Sequence, residues 1–175
     1  VVVASQDWHP ADHGSFAASH PGREPGDQIE LAKLPQTLWP IHCVQDSPGA
    51  RLAPGLETSR IDRIFYKGSD PQIDSYSCFH DNGRRQSTGL AEYLRDQGID
   101  TVFILGLATD YCVKFSVLDA VVEGFAVHIV LDGCRGIDLE PGDIDRALEE
   151  MREAGATLIS SQDLLAEAAA EPNRS

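Results

Sequence analysis

The C-terminal half of the chain alternates short apolar runs with longer stretches in which apolar residues recur at helical spacing. Short apolar runs bounded by polar residues are typical of buried strands, and the recurring spacing is typical of amphipathic helices. The alternation predicts right-handed crossovers and an α/β fold, namely a three-layer, doubly wound, mostly parallel sheet with helices on both faces. The predicted strands are residues 101–105, 126–131 and 157–160, and the predicted helices are residues 90–97, 113–123, 141–154 and 162–170.

The N-terminal half has a different pattern. Residues 1–5 and 63–66 form short apolar runs that predict two further strands. Between them, residues 6–59 are rich in proline, glycine, histidine and aspartate and show little periodicity. A connection of this length without regular structure is unusual in a compact domain, so we expect it to be functional. We predict one domain over residues 1–170 and a polar tail over 171–175.

Composition narrows the class of protein. The chain has 175 residues and a net charge of −14, and it lacks a basic patch that would neutralise phosphates, which argues against nucleic acid as a partner. No apolar run approaches the length that spans a bilayer. The cysteines are widely spaced and form no CxxC pair, which favours reduced thiols and a cytoplasmic location over a disulfide framework. Three of them, Cys43, Cys78 and Cys134, are expected to pack as small apolar side chains.

The most informative segment is residues 106–113, Gly-Leu-Ala-Thr-Asp-Tyr-Cys-Val, which joins a predicted strand to a predicted helix. It places Cys112 in the first turn of that helix, where unpaired N–H groups and the helix dipole favour an anion. A thiol in this position is expected to lose its proton readily and to act as a nucleophile. The alternative is a buried cysteine that only packs. Asp110, in the same turn, is expected to cap the helix.

A group of potential metal ligands follows the first strand. Asp7, His9 and His13 lie close together in the chain, and His42 adds a third imidazole from the same irregular region. A carboxylate with two or three imidazoles suits zinc or iron, and manganese less specifically. The alternative is that these histidines are solvated loop residues or satisfy buried backbone groups.

Lys67 follows the second predicted strand, at the carboxyl-terminal rim where Cys112 is also expected. A cation there would favour a thiolate and negative charge that develops on a substrate. The alternative is a surface lysine whose aliphatic stem packs on the protein while its amine stays in water.

Together these segments resemble the nicotinamidase/pyrazinamidase family, within the isochorismatase-like cysteine hydrolases. The resemblance is closest to bacterial members, and the motifs occur in family order as far as about residue 162. The matching segments are residues 5–10 and 13–16, 38–44, 66–68, 74–77, 106–113 and 132–136.

The resemblance implies the hydrolysis of nicotinamide to nicotinate and ammonia, in NAD salvage, with pyrazinamide as a second substrate that presents the same ring nitrogen and carboxamide. It implies that Cys112 forms a thioester and that Lys67 holds charge beside it. The backbone N–H groups of Ala108 and Cys112 would form the oxyanion hole, with a cis peptide bond at Leu107–Ala108.

The resemblance also implies a cofactor and a binding slot. One divalent metal ion would orient the substrate through its pyridine nitrogen, directly or through water. Asp7, His9 and His42 would be its ligands, and His13 would be a fourth ligand or would reach it through water. Trp39 and Tyr76 would wall the ring, with Phe16 as a weaker candidate. The partner is thus a small-molecule substrate, and a homo-oligomer stays open.

One departure from the family matters. Family members begin with an earlier strand whose aspartate serves as general base and acid, whereas this chain starts at the second family strand with Val1. We therefore expect the first strand to be absent from this chain. Two alternatives to a nicotinamidase stay open. One is a related small-amide or carbamoyl hydrolase of the same superfamily, and the other, supported by the missing aspartate, is a catalytically incomplete fragment that binds metal.

Overall fold

The computed structural model describes residues 1–170, which form two compact units. The first is Val1–Tyr93, and the second begins at Leu94. A helix, α1 (Leu90–Asp96), carries the chain from the first unit into the second. No helix of the described part of the chain is long and apolar enough to cross a membrane. The predicted tail at residues 171–175 lies outside the described residues.

The N-terminal unit contains two small sheets. Strands β1 (Val3–Asp7) and β4 (Arg63–Lys67) pair in parallel, with Asp7 opposite Lys67 at their carboxyl ends. The remaining chain between them is mostly turns and loops, as its composition predicts. Two segments within it pair as an antiparallel hairpin, formed by β2 (Gln28–Leu31) and β3 (Leu34–Thr37).

The β2–β3 hairpin is the element that the sequence analysis missed. Its two-residue turn is Ala32–Lys33, and both residues have positive φ, at 53° and 68°. Turns of this kind usually contain Asn-Gly or Asp-Gly, because these residues adopt positive φ at low cost. Alanine and lysine give no such signal, so the hairpin is held by its ladder rather than by its turn residues.

The C-terminal unit has the predicted alternation of strands and helices. Strands β5 (Thr101–Leu107), β6 (Ala126–Arg135) and β7 (Thr157–Ile159) form one parallel sheet in the order β5-β6-β7. Helix α2 (Lys114–Val122) follows β5, α3 (Asp143–Glu153) follows β6, and α4 (Ser161–Ala170) follows β7. The core of the unit includes Val117 and Ala120 of α2, Ile129 of β6, and Ala147 and Met151 of α3.

Both long strands extend beyond their apolar runs. The β5–β6 pairing shifts register between Ile104 and Gly106 and then continues to Leu107, opposite Arg135. The backbone ladder therefore carries polar residues of β6 well past the predicted end at residue 131. As a result, β5 delivers the chain directly to the turn that contains Cys112.

Candidate active site

The carboxyl ends of β1 and β4 place Asp7 beside Lys67, and the two side chains form an ion pair. Lys67 is only 5% exposed, and its Nζ also donates to the carbonyl oxygen of Ser75 at 2.8 Å. Burial alone would raise the pKa of Asp7, but the charge and hydrogen bond of Lys67 outweigh it and hold the pKa below its usual 3.8. Lys67 is therefore a buried cation and not a surface lysine.

Asp7, His9 and His42 form a group of potential metal ligands. One potential ligand atom of each lies within 4.8 Å of the others. His9 Nδ1 lies 2.8 Å from the carbonyl oxygen of Gly68, and His42 Nδ1 lies 2.9 Å from that of Pro40. A carbonyl oxygen only accepts, so in both rings Nδ1 carries the proton and Nε2 keeps its lone pair. Hydrogen bonds of this kind are typical of metal-binding histidines.

The chemistry of this group fits a divalent cation. A carboxylate with two neutral imidazoles suits zinc, iron or manganese. Burial lowers the pKa of His9 below its usual 6.5, although Asp74 and Asp7 act in the opposite direction. The lowered pKa favours the neutral ring, which is the form that binds a metal. The prediction of solvated loop histidines does not describe His9, which is 2% exposed.

His13 lies outside this group of three. Its Nδ1 accepts the backbone N–H of Ser15 at 3.1 Å and lies 2.8 Å from Ser15 Oγ. In the neutral ring the proton is then on Nε2, which is fully buried and has no hydrogen-bond partner. This tautomer does not favour His13 as a ligand, and its place as a fourth ligand stays a prediction. His13 instead belongs to a second buried group with His9 and Asp74.

Phe16 lies among the three imidazoles. Its ring centroid is 5.5 Å from those of His9 and His42 and 5.6 Å from that of His13. Because Phe16 is fully buried, its observed contacts support the histidine rings. Its predicted contact with substrate is not tested by this arrangement.

Trp39 and Tyr76, the predicted walls of the binding slot, lie next to each other and are both half-buried. Their ring centroids are 6.4 Å apart at an interplanar angle of 84°, and Trp39 Nε1 donates to the Tyr76 hydroxyl at 3.2 Å. The structure therefore brings together two aromatic side chains that share a polar contact and retain exposed surface.

In the C-terminal unit, Cys112 lies in the turn that follows β5. The turn is a single π-helical segment, Thr109–Val113, that leads directly into α2. Cys112 is half-buried, and the peptide bond between Leu107 and Ala108 is cis, as predicted. The N–H groups of Tyr111 and Val113 donate to the carbonyl oxygen of Ala108 at 3.1 and 3.0 Å, and the oxyanion hole at Ala108 and Cys112 stays a prediction.

Asp110 does not cap the helix, and that prediction is wrong. Its carboxylate accepts the backbone N–H of Ile137 at 3.0 Å and that of Asp138 at 2.8 Å. Asp110 is 4% exposed, and a Cβ on Gly136 would lie 3.1 Å from its Oδ1. Asp110 thus ties the loop after β6 to the turn that carries Cys112, a long-range role that local sequence does not reveal.

The other cysteines are free thiols, with Cys134 buried and Cys43 and Cys78 half-buried. Cys134 Sγ donates to the carbonyl oxygen of Val130 at 3.4 Å. Burial raises the pKa of this thiol above its usual 9.0. For Cys134, these contacts agree with the predicted packing role.

An α/β fold with a cysteine at a strand–helix turn defines the class of candidate cysteine hydrolases. Comparison with known proteins gives the family. The sequence profile of the isochorismatase domain matches residues 12–163. The chain is 56% identical to nicotinamidase from Escherichia coli (strain K12), over 93% of this chain and 76% of that protein. It therefore belongs to the isochorismatase domain family, as its motifs predict.

Solved structures agree with this assignment. An Acinetobacter baumanii nicotinamidase/pyrazinamidase superposes with a TM-score of 0.90 at 45% identity, covering 93% of this chain and 78% of that one. A Pyrococcus horikoshii pyrazinamidase in complex with zinc superposes with a TM-score of 0.70 at 36% identity, covering 91% and 75%. The predicted isochorismatase-like α/β fold is thus confirmed.

Proposed function

We propose that this protein hydrolyses nicotinamide to nicotinate and ammonia through a thioester on Cys112. The observation that carries the proposal is the group formed by Asp7, His9 and His42, with its imidazole tautomers set for a cation. A metal site gives the enzyme an anchor for a ring nitrogen, which a general amidase does not need. Relatives named as nicotinamidases at 56% and 45% identity support the same substrate.

We infer that Asp7, His9 and His42 hold one divalent metal ion, with zinc or iron favoured over manganese. When bound, the metal supplies a Lewis acid that orients the pyridine nitrogen of the substrate. The Pyrococcus horikoshii pyrazinamidase, which was solved in complex with zinc, supports the binding of a divalent metal ion. Trp39 and Tyr76 then wall the ring, and Phe16 holds the imidazoles in place.

The covalent chemistry begins at Cys112. Its thiolate attacks the amide carbon, a carbon–sulfur bond forms, and the negative charge moves to the carbonyl oxygen. The N–H groups of Ala108 and Cys112 stabilise that oxyanion. Its collapse breaks the carbon–nitrogen bond, and the proton that the Cys112 thiol gave up passes to the leaving nitrogen, which departs as ammonia. Water then cleaves the thioester, which yields nicotinate and restores the thiol. We also propose Lys67, a buried cation paired with Asp7, as the group that offsets negative charge during this reaction.

The expected substrates follow from these contacts. Pyrazinamide presents the same carboxamide and a ring nitrogen in the same position, so we infer that it is also hydrolysed. Names of relatives that include pyrazinamidase support this inference. A role in NAD salvage and a cytoplasmic location stay predictions, and the oligomeric state stays open.

The test is ammonia release from nicotinamide by the zinc- or iron-loaded protein, with benzamide as a substrate that lacks the ring nitrogen. We expect turnover of nicotinamide, much slower turnover of benzamide, and no turnover in Cys112→Ala. Cys78→Ala is the matched control, because it removes another half-buried thiol, and it should retain activity.

The outcomes separate the alternatives. Equal rates on nicotinamide and benzamide would contradict the metal anchor and favour a related small-amide hydrolase. Metal binding without any turnover would favour a catalytically incomplete fragment. Retained turnover in Cys112→Ala would exclude Cys112 as the nucleophile.

A further inference from the structure

We propose that Gln36 is a positioning residue that holds Trp39 and Tyr76 at a fixed separation and thereby sets the size of ring that the slot accepts. The inference rests on the proposed function, because it assigns Trp39 and Tyr76 to substrate binding. Gln36 itself is 3% exposed and lies in β3, so it acts through the aromatic pair and not on the substrate.

The side-chain amide of Gln36 joins three groups, and its two N–H bonds are shared among these three acceptors. Its Nε2 lies 2.9 Å from the Tyr76 hydroxyl, 3.1 Å from Asp74 Oδ2 and 2.7 Å from the carbonyl oxygen of Thr37. A backbone carbonyl oxygen can only accept a hydrogen bond, so that of Thr37 fixes which end of the amide carries the protons. The amide orientation therefore follows from its neighbours.

This orientation makes the Tyr76 hydroxyl oxygen a hydrogen-bond acceptor. Gln36 Nε2 and Trp39 Nε1 are both donors, and both reach the same phenolic oxygen. The oxygen therefore serves as an acceptor shared by the strand and the neighbouring aromatic ring. Gln36 thus fixes one end of the Tyr76 ring, and Tyr76 in turn fixes the indole of Trp39.

Asp74 anchors the amide from the other side. It is 3% exposed, its Oδ1 accepts the backbone N–H of Ser75 at 2.7 Å, and its Oδ2 accepts Gln36. Asp74 also shares a buried group with His9 and His13, whose potential ligand atoms lie within 4.8 Å of one of its oxygens. The hydrogen-bonded chain therefore runs from Asp74 through Gln36 to Tyr76 and Trp39, and Asp74 lies close to His9 and His13.

The simpler interpretation is that Gln36 only satisfies a buried backbone carbonyl of the hairpin. That interpretation predicts a loss of stability in Gln36 variants but no change in the choice of substrate. The two interpretations differ in selectivity and in the coupling between Gln36 and Tyr76, and both quantities can be measured.

The experiment compares Gln36→Leu, Tyr76→Phe and the double variant. Gln36→Leu removes the donor, and Tyr76→Phe removes the shared hydroxyl but keeps the ring. We expect each single variant to raise the KM for nicotinamide about tenfold, the effect of one hydrogen bond of ordinary strength, with a much smaller change in kcat. The double variant should be no worse than either single variant, because both remove the same link.

Selectivity gives the second readout. A loosened slot should accept 5-methylnicotinamide better relative to nicotinamide, so the ratio of their kcat/KM values should shift toward the larger ring in Gln36→Leu. Gln28→Leu is the matched control, because Gln28 is an exposed glutamine of the same hairpin that donates to Thr37 Oγ1 at 2.9 Å. It should leave KM and selectivity unchanged.

A third readout does not depend on turnover. In a Trp8→Phe background Trp39 is the only tryptophan, so fluorescence anisotropy decay reports the mobility of its indole. Gln36→Leu should make the indole more mobile, whereas Gln28→Leu should not. If the protein without Gln36→Leu does not hydrolyse nicotinamide, the proposed function is wrong. A rise in indole mobility in Gln36→Leu would still support the inference that Gln36 holds Trp39 and Tyr76.

Two results would overturn the inference. Additive KM penalties in the double variant, with unchanged selectivity, would show that Gln36 and Tyr76 act independently. Unchanged indole mobility in a folded Gln36→Leu protein, checked by thermal unfolding, would show that the amide does not hold the pair.

Discussion

Gly68 and His9 are fitted to each other at the end of β4. The carbonyl oxygen of Gly68 lies 2.8 Å from His9 Nδ1, and a Cβ on Gly68 would lie 2.7 Å from the same nitrogen. Gly68 also has a φ of 64°, which side chains rarely adopt. The backbone therefore sets both the tautomer and the position of this imidazole, and only glycine fits there.

Gly68→Ala should consequently displace His9 and weaken metal binding. We expect a loss of about 10–100-fold in zinc affinity, the range found when the partner of a metal-binding histidine is lost. The measurement is competition for zinc against a chromophoric chelator.

Gly22→Ala is the control for backbone strain in this experiment. Gly22 has a similar φ of 79°, but nothing lies within 4 Å of its added Cβ. If both variants lost affinity equally, strain and not overlap with His9 would be the cause.

Lys67→Met should destabilise the metal-free protein by leaving Asp7 without its cation. Removing one partner of a buried ion pair costs about 3–5 kcal/mol, and we expect about 3 kcal/mol because the Asp7 side chain is 22% exposed. Urea unfolding at pH 7 measures the change. Adding Asp7→Asn to Lys67→Met should recover part of the loss, whereas a further loss would contradict the pairing.

The difference in stability between wild type and Lys67→Met depends on pH, and the direction of that dependence follows from the pKa of Asp7. The pKa of Asp7 is lowered in the folded protein, so the pair contributes its full stability above the ordinary pKa of 3.8. The contribution is lost as the pH falls through the lower folded-state pKa. The stability gap between wild type and Lys67→Met should therefore narrow in acid, and it should level off only above the pKa of Asp7 in the variant, which burial without Lys67 raises.

Asp110→Asn should loosen the loop after β6. The amide can accept from one of the two N–H groups of Ile137 and Asp138 but offers a donor to the other. We expect a local cost of about 2 kcal/mol, which raises the opened population about thirtyfold. Tryptic cleavage after Arg135, followed by mass spectrometry, should accelerate accordingly. Asp145→Asn, at an exposed position of α3, should leave the rate unchanged.

Cys134 should be an unreactive thiol whose titration lowers stability at high pH. Its folded-state pKa is raised above 9.0, chiefly by burial, so at pH 8 it should react slowly with iodoacetamide. Above about pH 9 the unfolded chain releases a proton that the folded protein retains, so stability falls as the pH rises. Cys134→Ala should flatten this slope between pH 8 and 10. A slope unchanged by the substitution would contradict the buried thiol.

Much of the C-terminal unit could be predicted because its signals are local. Apolar runs define the cores of β5 and β6, and glycines such as Gly124 and Gly155 mark the ends of the helices. The ends of β5 and β6 could not be predicted, because ladder pairing continues through residues whose side chains give no strand signal. The β2–β3 hairpin was missed because Ala32 and Lys33 are unusual in a turn with positive φ.

The site residues divide in the same way. Asp7, His9, His42 and Cys112 could be proposed as site residues because their spacing and motifs carry the signal, and potential ligand atoms of the first three lie close together. Gln36 and Asp74 were missed as partners because their roles arise from contacts 38 residues apart in the chain. Gln36 could have been noticed only as a polar residue at a strand position that faces the interior.

The proposed reaction passes through a nicotinoyl thioester on Cys112. The most direct measurement is acid quenching of the metal-loaded protein during reaction with nicotinamide, followed by intact-mass and peptide mass spectrometry. We expect a mass gain of one nicotinoyl group on the peptide that contains Cys112, absent in Cys112→Ala and lost when the substrate is exhausted. Continued ammonia release from nicotinamide by Cys112→Ala, or an adduct on another residue, would contradict it.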